Sequence, residues 1–112
     1  MLYRYCLAVD LVNDESLIKE YEKHHQHVWP EILQSINEAG IDSMEIYRTG
    51  NRLFMIIEAD SAVDFSAKAG ADAANEKVQQ WEALMWKYQQ ALPFAKPGEK
   101  WMLMDKIFEI KQ

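Results

Sequence analysis

The sequence is poor in positive charge and in long apolar runs. Its 112 residues contain 12 Lys and Arg against 18 Asp and Glu, which gives a formal net charge of −6. Nucleic acid is therefore not an expected partner, because phosphate binding requires a basic surface. No apolar run approaches the roughly 18 residues of a membrane span, so no membrane association is expected. The N-terminal segment MLYRYCLAVDLV also lacks the features of an export signal.

Cysteine is nearly absent as well. The single Cys6 excludes an internal disulfide. It lies in a probable strand, and we expect a small core residue and not a nucleophile. The sequence has no Gly-rich phosphate loop, no spaced carboxylate pair typical of a glycosidase and no Ser-His-Asp arrangement. The missing motifs argue against phosphate-loop, glycosidase and Ser-His-Asp hydrolase chemistry. The missing export signal, the missing membrane span and the single cysteine predict a cytoplasmic protein.

Apolar and aromatic residues are abundant. They make up 49% of the chain and include four Trp, five Tyr and four Phe. A chain of this length supports one hydrophobic core, so residues 1–112 are predicted to form a single domain.

The order of the predicted elements indicates an α+β fold. Pro30 predicts a kink or break in the first helix near residues 26–30. The Ala-rich segment 66–75 is compatible with a helix, a loop or a helix with a break. The predicted elements are a strand over 2–12, a helix from 14 to about 39, strands over 42–49 and 52–60, a helix over 76–91 and a strand over 100–110. This β-α-β-β-α-β order is typical of ferredoxin-like sandwiches. Two helices leave one sheet face uncovered, and a second copy is the simplest cover, so we expect a homodimer.

The segment YEKHHQHVWPE, from Tyr21 to Glu31, carries the most informative pattern. His25 lies four residues after Tyr21 and four before Trp29, within a stripe of apolar residues at helical spacing. This spacing directs the His25 side chain towards the interior or a cleft. Histidine is the side chain best suited to proton transfer near neutral pH, so we predict that His25 carries the chemistry. From the residues alone, a core histidine with satisfied nitrogens is the alternative.

The same segment resembles the signature of the L-rhamnose mutarotase family. The resemblance extends over nearly the whole chain, through Tyr21-x-x-x-His25-x-x-x-Trp29-Pro30-Glu31, Gly40-x6-Tyr47, Leu53-Phe54 with Glu58, and Trp81-x-x-x-Met85. It implies an isomerase of carbohydrate metabolism that interconverts the anomers of a deoxy sugar. It also implies that two ferredoxin-like domains pair into a dimeric α/β barrel.

The resemblance implies roles for individual residues. The family histidine matching His25 is the proton donor, and the residues matching Tyr21 and Trp81 line the sugar site. Met44 stands where rhamnose-specific members have a tyrosine, and Glu82 where they have a second tryptophan. These changes alter which sugar hydroxyls find partners. We therefore expect Met44 and Glu82 among the substrate contacts, with L-rhamnose or L-fucose as the monosaccharide.

Anomer exchange proceeds through the open-chain aldehyde, as the ring oxygen gains a proton and the anomeric hydroxyl loses one. This reaction needs a proton carrier and neither a metal nor an organic cofactor, so none is expected. His24 and His27 are close enough in a helix to share a metal. No third ligand has an evident spacing, and a solvated helix face is the better interpretation.

Two other functions stay open at this point. One is a monooxygenase or haem-degrading enzyme on the same dimeric barrel, in which the histidine serves substrate or haem. The other is a non-catalytic dimer that binds a ligand in the same pocket.

Overall fold

The computed structural model of the protein describes residues 2–111, which form five strands and four helices. The strands are β1 (Tyr3–Leu11), β2 (Ser43–Thr49), β3 (Arg52–Ala59), β4 (Gln89–Gln90) and β5 (Met102–Leu103). The helices are α1 (Glu15–His24), α2 (Pro30–Glu38), α3 (Phe65–Ala73) and α4 (Glu76–Trp86). The predicted α+β class is confirmed, with the undecided Ala-rich segment forming α3.

The strands form one antiparallel sheet in the order β2-β3-β1-β4, with β5 also paired to β1. β2 and β3 make the predicted hairpin, which turns at Gly50 with a φ of +56°. Leu7 lies opposite Met55 in the register between β1 and β3, so both side chains project from the same face. Buried and half-buried residues alternate along β3 from Leu53 to Ala59. The sheet therefore has an inner apolar face and a distinct outer face.

The predicted break in the first helix is confirmed, and it produces two helices. Asp14 caps α1, with its carboxylate accepting hydrogen bonds from the Ser16 and Leu17 N–H groups. Pro30 occupies the first turn of α2, where its missing N–H has no intrahelical partner to lose. The segment 25–29 lies outside both helices, and this places His25 at the end of α1.

The core lies between the inner sheet face and the helices. Val9, Leu11 and Leu53 are its most deeply buried large side chains, and Tyr21 and Trp81 belong to the same cluster. α4 packs against both α2 and α3. The helices and the sheet are thus held together on one side of the molecule.

The C-terminal prediction was wrong in extent. The strand predicted over 100–110 is reduced to β5, which pairs with β1 only at Leu7 and Ala8. One further hydrogen bond joins the Met104 N–H to the Cys6 carbonyl at 2.8 Å, and residues 104–110 form no regular strand. The helix predicted over 76–91 also ends early, at Trp86, because the chain turns there to pair β4 with the end of β1.

The expectation that Cys6 is a core residue was wrong, because Cys6 is half-buried and lies outside both core clusters. It alternates with Leu7 along β1 and therefore projects from the outer sheet face. Among residues 2–111, none of the helices combines the length and the apolar composition needed to cross a membrane.

Candidate active site

A cavity of about 680 Å³ lies between the inner sheet face and the helices. This size lies within the range of small-molecule sites. The five predicted site residues all line it: Tyr21, His25, Met44, Trp81 and Glu82. The fold therefore brings together side chains from α1, β2 and α4 that lie as far apart in the sequence as Tyr21 and Glu82.

His25 is held by contacts on two sides. Its ring centroid lies 4.4 Å from that of Tyr21 and 5.6 Å from that of Trp81, the latter edge-on. Its Nδ1 lies 2.9 Å from the backbone carbonyl oxygen of Tyr21. A carbonyl oxygen can only accept, so Nδ1 donates and carries the hydrogen. In neutral His25 the lone pair available for proton transfer is consequently on Nε2.

The surroundings of His25 favour its neutral form. Burial lowers the pKa of the imidazole below its usual value of 6.5. The hydrogen bond to the Tyr21 carbonyl opposes this shift, and the neighbouring His24 reinforces it. The neutral form of the His25 imidazole is therefore favoured at physiological pH.

Tyr21 is buried, with 3% of its surface exposed. Burial raises the pKa of its phenol to about 12. The Gln89 amide donates a hydrogen bond to the Tyr21 hydroxyl at 3.4 Å. The phenol therefore keeps its proton near neutral pH and remains able to donate a hydrogen bond into the cavity.

Trp81 supplies an aromatic surface to the site, and Trp101 lines the same cavity. Trp81 packs edge-on against Trp29, with ring centroids 5.1 Å apart. Trp29 lies immediately before α2, so this contact fixes the start of α2 against α4. Trp81 is thereby held in place beside His25.

Met44 and Glu82 give the cavity wall one apolar and one acidic side chain. Met44 is half-buried on the inner face of β2 and contributes an apolar side chain. Glu82 is the residue after Trp81, and helical geometry separates their directions by about 100°. Both nevertheless line the cavity, and the Glu82 carboxylate accepts a 3.4 Å hydrogen bond from the Gln79 amide.

Several polar lining residues were missed from the sequence. Gln89 was assigned to the end of a helix, whereas it lies buried in β4 beside Tyr21. Lys68 and Asp72 fell in the undecided Ala-rich segment, and their i, i+4 spacing was the available signal. Lys100 reaches the cavity from the segment before β5, and no sequence pattern indicated it.

A second cavity of about 430 Å³ shares Tyr21 and His25 with the first. Arg48 and Glu22 line it and form an ion pair of 2.5 Å. Both side chains are more than one third exposed, so the pair contributes little to stability. His25 thus borders both cavities.

His24 lies outside both cavities. Its Nε2 is 3.2 Å from the hydroxyl of Tyr88. This contact joins α1 to the segment after α4, so His24 has a structural role. The prediction of a solvated face does not describe His24, which is half-buried, whereas His27 is exposed.

Comparisons with known proteins identify the family of the chain. The family model described as L-rhamnose mutarotase matches residues 4–110. The chain is 43% identical to an L-fucose mutarotase from Xanthomonas campestris, an alignment that covers 99% of this chain and 90% of the relative. It is 30% identical to an L-rhamnose mutarotase from Shigella flexneri over 70% of each chain.

A crystal structure of an L-rhamnose mutarotase from Formosa agariphila has the same fold. It superimposes with a TM-score of 0.70 and covers 97% of this chain and 99% of its own, at 22% sequence identity. The family resemblance of the Tyr21–Glu31 segment is confirmed by the match over nearly the entire chain. The chain belongs to the L-rhamnose mutarotase family.

Proposed function

We propose that this protein interconverts the α and β anomers of a 6-deoxy-hexose and that L-fucose is its preferred substrate. Membership of the family supports an isomerase acting on sugars. The choice of L-fucose rests on the similarity to the Xanthomonas L-fucose mutarotase, which is higher and more extensive than that to the L-rhamnose mutarotases. The observation that carries the reaction type is a neutral His25 with its Nε2 lone pair free, in a cavity of the right size.

His25 acts first as a base and then as an acid. Its Nε2 takes the proton of the anomeric hydroxyl, and the imidazolium returns a proton to the ring oxygen through a water or a sugar hydroxyl. The bond between C1 and the ring oxygen breaks, which leaves the open-chain aldehyde. Rotation about the C1–C2 bond and the reverse transfers close the ring on the other carbonyl face. Protons are conserved throughout, and a well-placed group contributes about 10²–10⁴-fold.

Tyr21 and Trp81 position the sugar. The Tyr21 phenol donates a hydrogen bond to a sugar oxygen, and its raised pKa of about 12 makes it unsuited to full proton transfer. Trp81 offers an apolar surface to the C–H face of the ring. Met44 contacts the sugar through apolar atoms, and Glu82 accepts a hydrogen bond from a hydroxyl. The last two assignments distinguish this chain from rhamnose-specific relatives.

The test is anomer exchange measured by NMR saturation transfer in L-fucose and L-rhamnose. We expect wild-type protein to accelerate exchange, more strongly in L-fucose, and His25→Ala to lose about 10²–10⁴-fold. His27→Ala is the matched control, because His27 is exposed and lies outside the cavity. Acceleration that persists in folded His25→Ala would remove His25 from the mechanism. Absence of acceleration in both sugars by wild-type protein would contradict the proposed function.

We also propose that the ferredoxin-like domain pairs through its outer sheet face into a dimeric α/β barrel. Cys6, Ala8, Phe54 and Ile56 project from this face and lie outside both core clusters. The chain beyond β5 adds further apolar side chains, including Ile107, which is 95% exposed. Apolar surface of this kind favours association with a second copy.

Sedimentation measures the oligomeric state directly. We expect wild-type protein to sediment as a dimer and Ile56→Lys to sediment as a monomer, since an unpaired charge in an apolar interface is costly. Lys19→Glu, on the exposed side of α1, is the control. A wild-type monomer at micromolar concentration would contradict the barrel.

A further inference from the structure

Helix α3 presents an unexpected set of residues to the cavity. Its three partly buried residues, Phe65, Lys68 and Asp72, are spaced i, i+3 and i+7 and therefore lie on one side of the helix. A surface helix normally buries apolar side chains on that side. Two of the three are charged here, and all three line the cavity.

Lys68 and Asp72 form an ion pair within the cavity wall. The Lys68 ammonium lies 2.5 Å from the Asp72 carboxylate, and the two side chains are 21% and 14% exposed. Removing such a pair from water costs free energy that the attraction between the charges does not reliably recover. A contribution to stability therefore does not explain why this ion pair lies in the cavity wall.

A second pair in the same chain shows what the i, i+4 spacing gives at the surface. Lys19 and Glu15 on α1 are 3.6 Å apart, with side chains 75% and 87% exposed. The Lys68–Asp72 pair differs from it in facing a cavity. The Lys68 ammonium keeps N–H donors that Asp72 does not use, and the Asp72 carboxylate keeps acceptor positions that Lys68 does not use.

Two adjacent sugar hydroxyls match this combination. Each hydroxyl donates one hydrogen bond and accepts others, so one can donate to the carboxylate while its neighbour accepts from the ammonium. In a pyranose the C3–C4 bond lies opposite the bond between C1 and the ring oxygen. A sugar that presents its C1 edge to His25 therefore presents its C3 and C4 hydroxyls to another part of the cavity wall.

We propose that the Lys68–Asp72 pair binds the C3 and C4 hydroxyls of the sugar and determines which 6-deoxy-hexose is accepted. The inference rests on the proposed function. The C4 hydroxyl is axial in L-fucose and equatorial in L-rhamnose, so a contact with it discriminates between the two. A site built to bind a hydroxyl also rejects an analogue that lacks it, because its own polar groups are then left unpaired.

The decisive variant is the double substitution Lys68→Met with Asp72→Leu. Replacing both partners with apolar residues of similar volume is expected to leave the melting temperature unchanged or higher. Loss of hydrogen bonds to charged groups is expected to raise KM for L-fucose by about tenfold or more, with kcat little changed. Lys19→Met with Glu15→Leu is the matched control and should alter neither constant.

A substrate analogue separates recognition from general damage. Wild-type protein should disfavour 4-deoxy-L-fucose relative to L-fucose by about tenfold or more in kcat/KM, and the double variant should lose most of this discrimination. Full discrimination by a folded double variant would overturn the proposal. So would a KM for L-fucose equal to that of wild type.

Binding without catalysis distinguishes this proposal from the mutarotase activity itself. Methyl α-L-fucopyranoside cannot open its ring, and its binding is measured by saturation-transfer-difference NMR. Binding by wild type that is lost in the double variant supports the role of the pair even if exchange is absent. Equal binding by both proteins, or none by wild type, overturns it.

Discussion

The hydroxyl of Tyr21 offers a test in which structural and functional effects can be separated. Tyr21→Phe removes one oxygen and keeps a ring that is almost fully buried. In the native structure this oxygen accepts a hydrogen bond from the Gln89 amide, at 3.4 Å. Gln89 is itself 8% exposed, so the substitution leaves a buried donor without this partner.

The expected loss of stability follows from that donor. An unsatisfied buried polar group costs about 1–3 kcal/mol. The 3.4 Å bond is long, and Gln89 borders a cavity wide enough for water, so we expect the lower limit, about 1 kcal/mol. For a domain of this size that is a decrease in Tm of about 4 °C. Gln89→Met alone should have a similar cost, since it leaves the phenol without its donor.

The double variant Tyr21→Phe with Gln89→Met removes both partners together. Its stability should return close to that of wild type, which gives a coupling free energy of about 2 kcal/mol in the double-mutant cycle, because each single variant loses about 1 kcal/mol. Urea unfolding with shared m-values is the assay. Additive losses in the double variant would show that the two groups do not interact and would refute this account of the buried pair.

The KM for L-fucose is the second quantity to measure on the same variants. If the Tyr21 hydroxyl binds the sugar, the double variant remains impaired although its stability is restored. We expect a KM for L-fucose about three- to tenfold above wild type, as for loss of one neutral hydrogen bond. A wild-type KM in the double variant would limit Tyr21 to packing.

Two further predictions concern His25 and Gly50. Because burial lowers the pKa of His25, kcat/KM should be constant above pH 6.5 and fall about tenfold per pH unit below the lowered pKa. The unfolded chain binds this proton first as pH decreases, so the unfolding free energy should decline below about pH 6.5 as well, and His25→Ala should lose both dependences. Gly50→Ala places a side chain at φ +56° and should cost about 1–2 kcal/mol by urea unfolding, whereas Gly70→Ala in α3 should stabilise by about 0.5–1 kcal/mol. Equal effects of the two glycine substitutions would contradict the backbone argument.

The sequence predicted the elements that carry their own signals. Helical spacing placed His25 between Tyr21 and Trp29, and Pro30 predicted the break, because both effects depend on near neighbours in the chain. The β2–β3 hairpin was likewise indicated by Gly50 between two apolar segments. These local rules were sufficient to locate the part of the cavity that comes from α1.

The elements that depend on distant partners were harder to predict. The apolar residues of 100–110 resemble a strand, but pairing depends on contacts with a distant segment, and only Met102 and Leu103 pair with β1. Lys68 and Asp72 were missed because the Ala-rich segment has weak periodicity, and their i, i+4 spacing places them on a common face only if the segment is a helix. Gln89 was missed because a single glutamine carries no spacing signal.

The break at Pro30 links the local sequence to the proposed chemistry. In a continuous helix the carbonyl of Tyr21 would accept a hydrogen bond from the His25 N–H, four residues later. Here α1 ends, and that N–H donates instead to the Glu22 carbonyl at 3.1 Å. The Tyr21 carbonyl is thereby left for the His25 side chain and accepts from Nδ1 at 2.9 Å. Because this bond fixes the hydrogen on Nδ1, the end of the helix determines that Nε2 is the nitrogen free to receive the proton of a sugar hydroxyl.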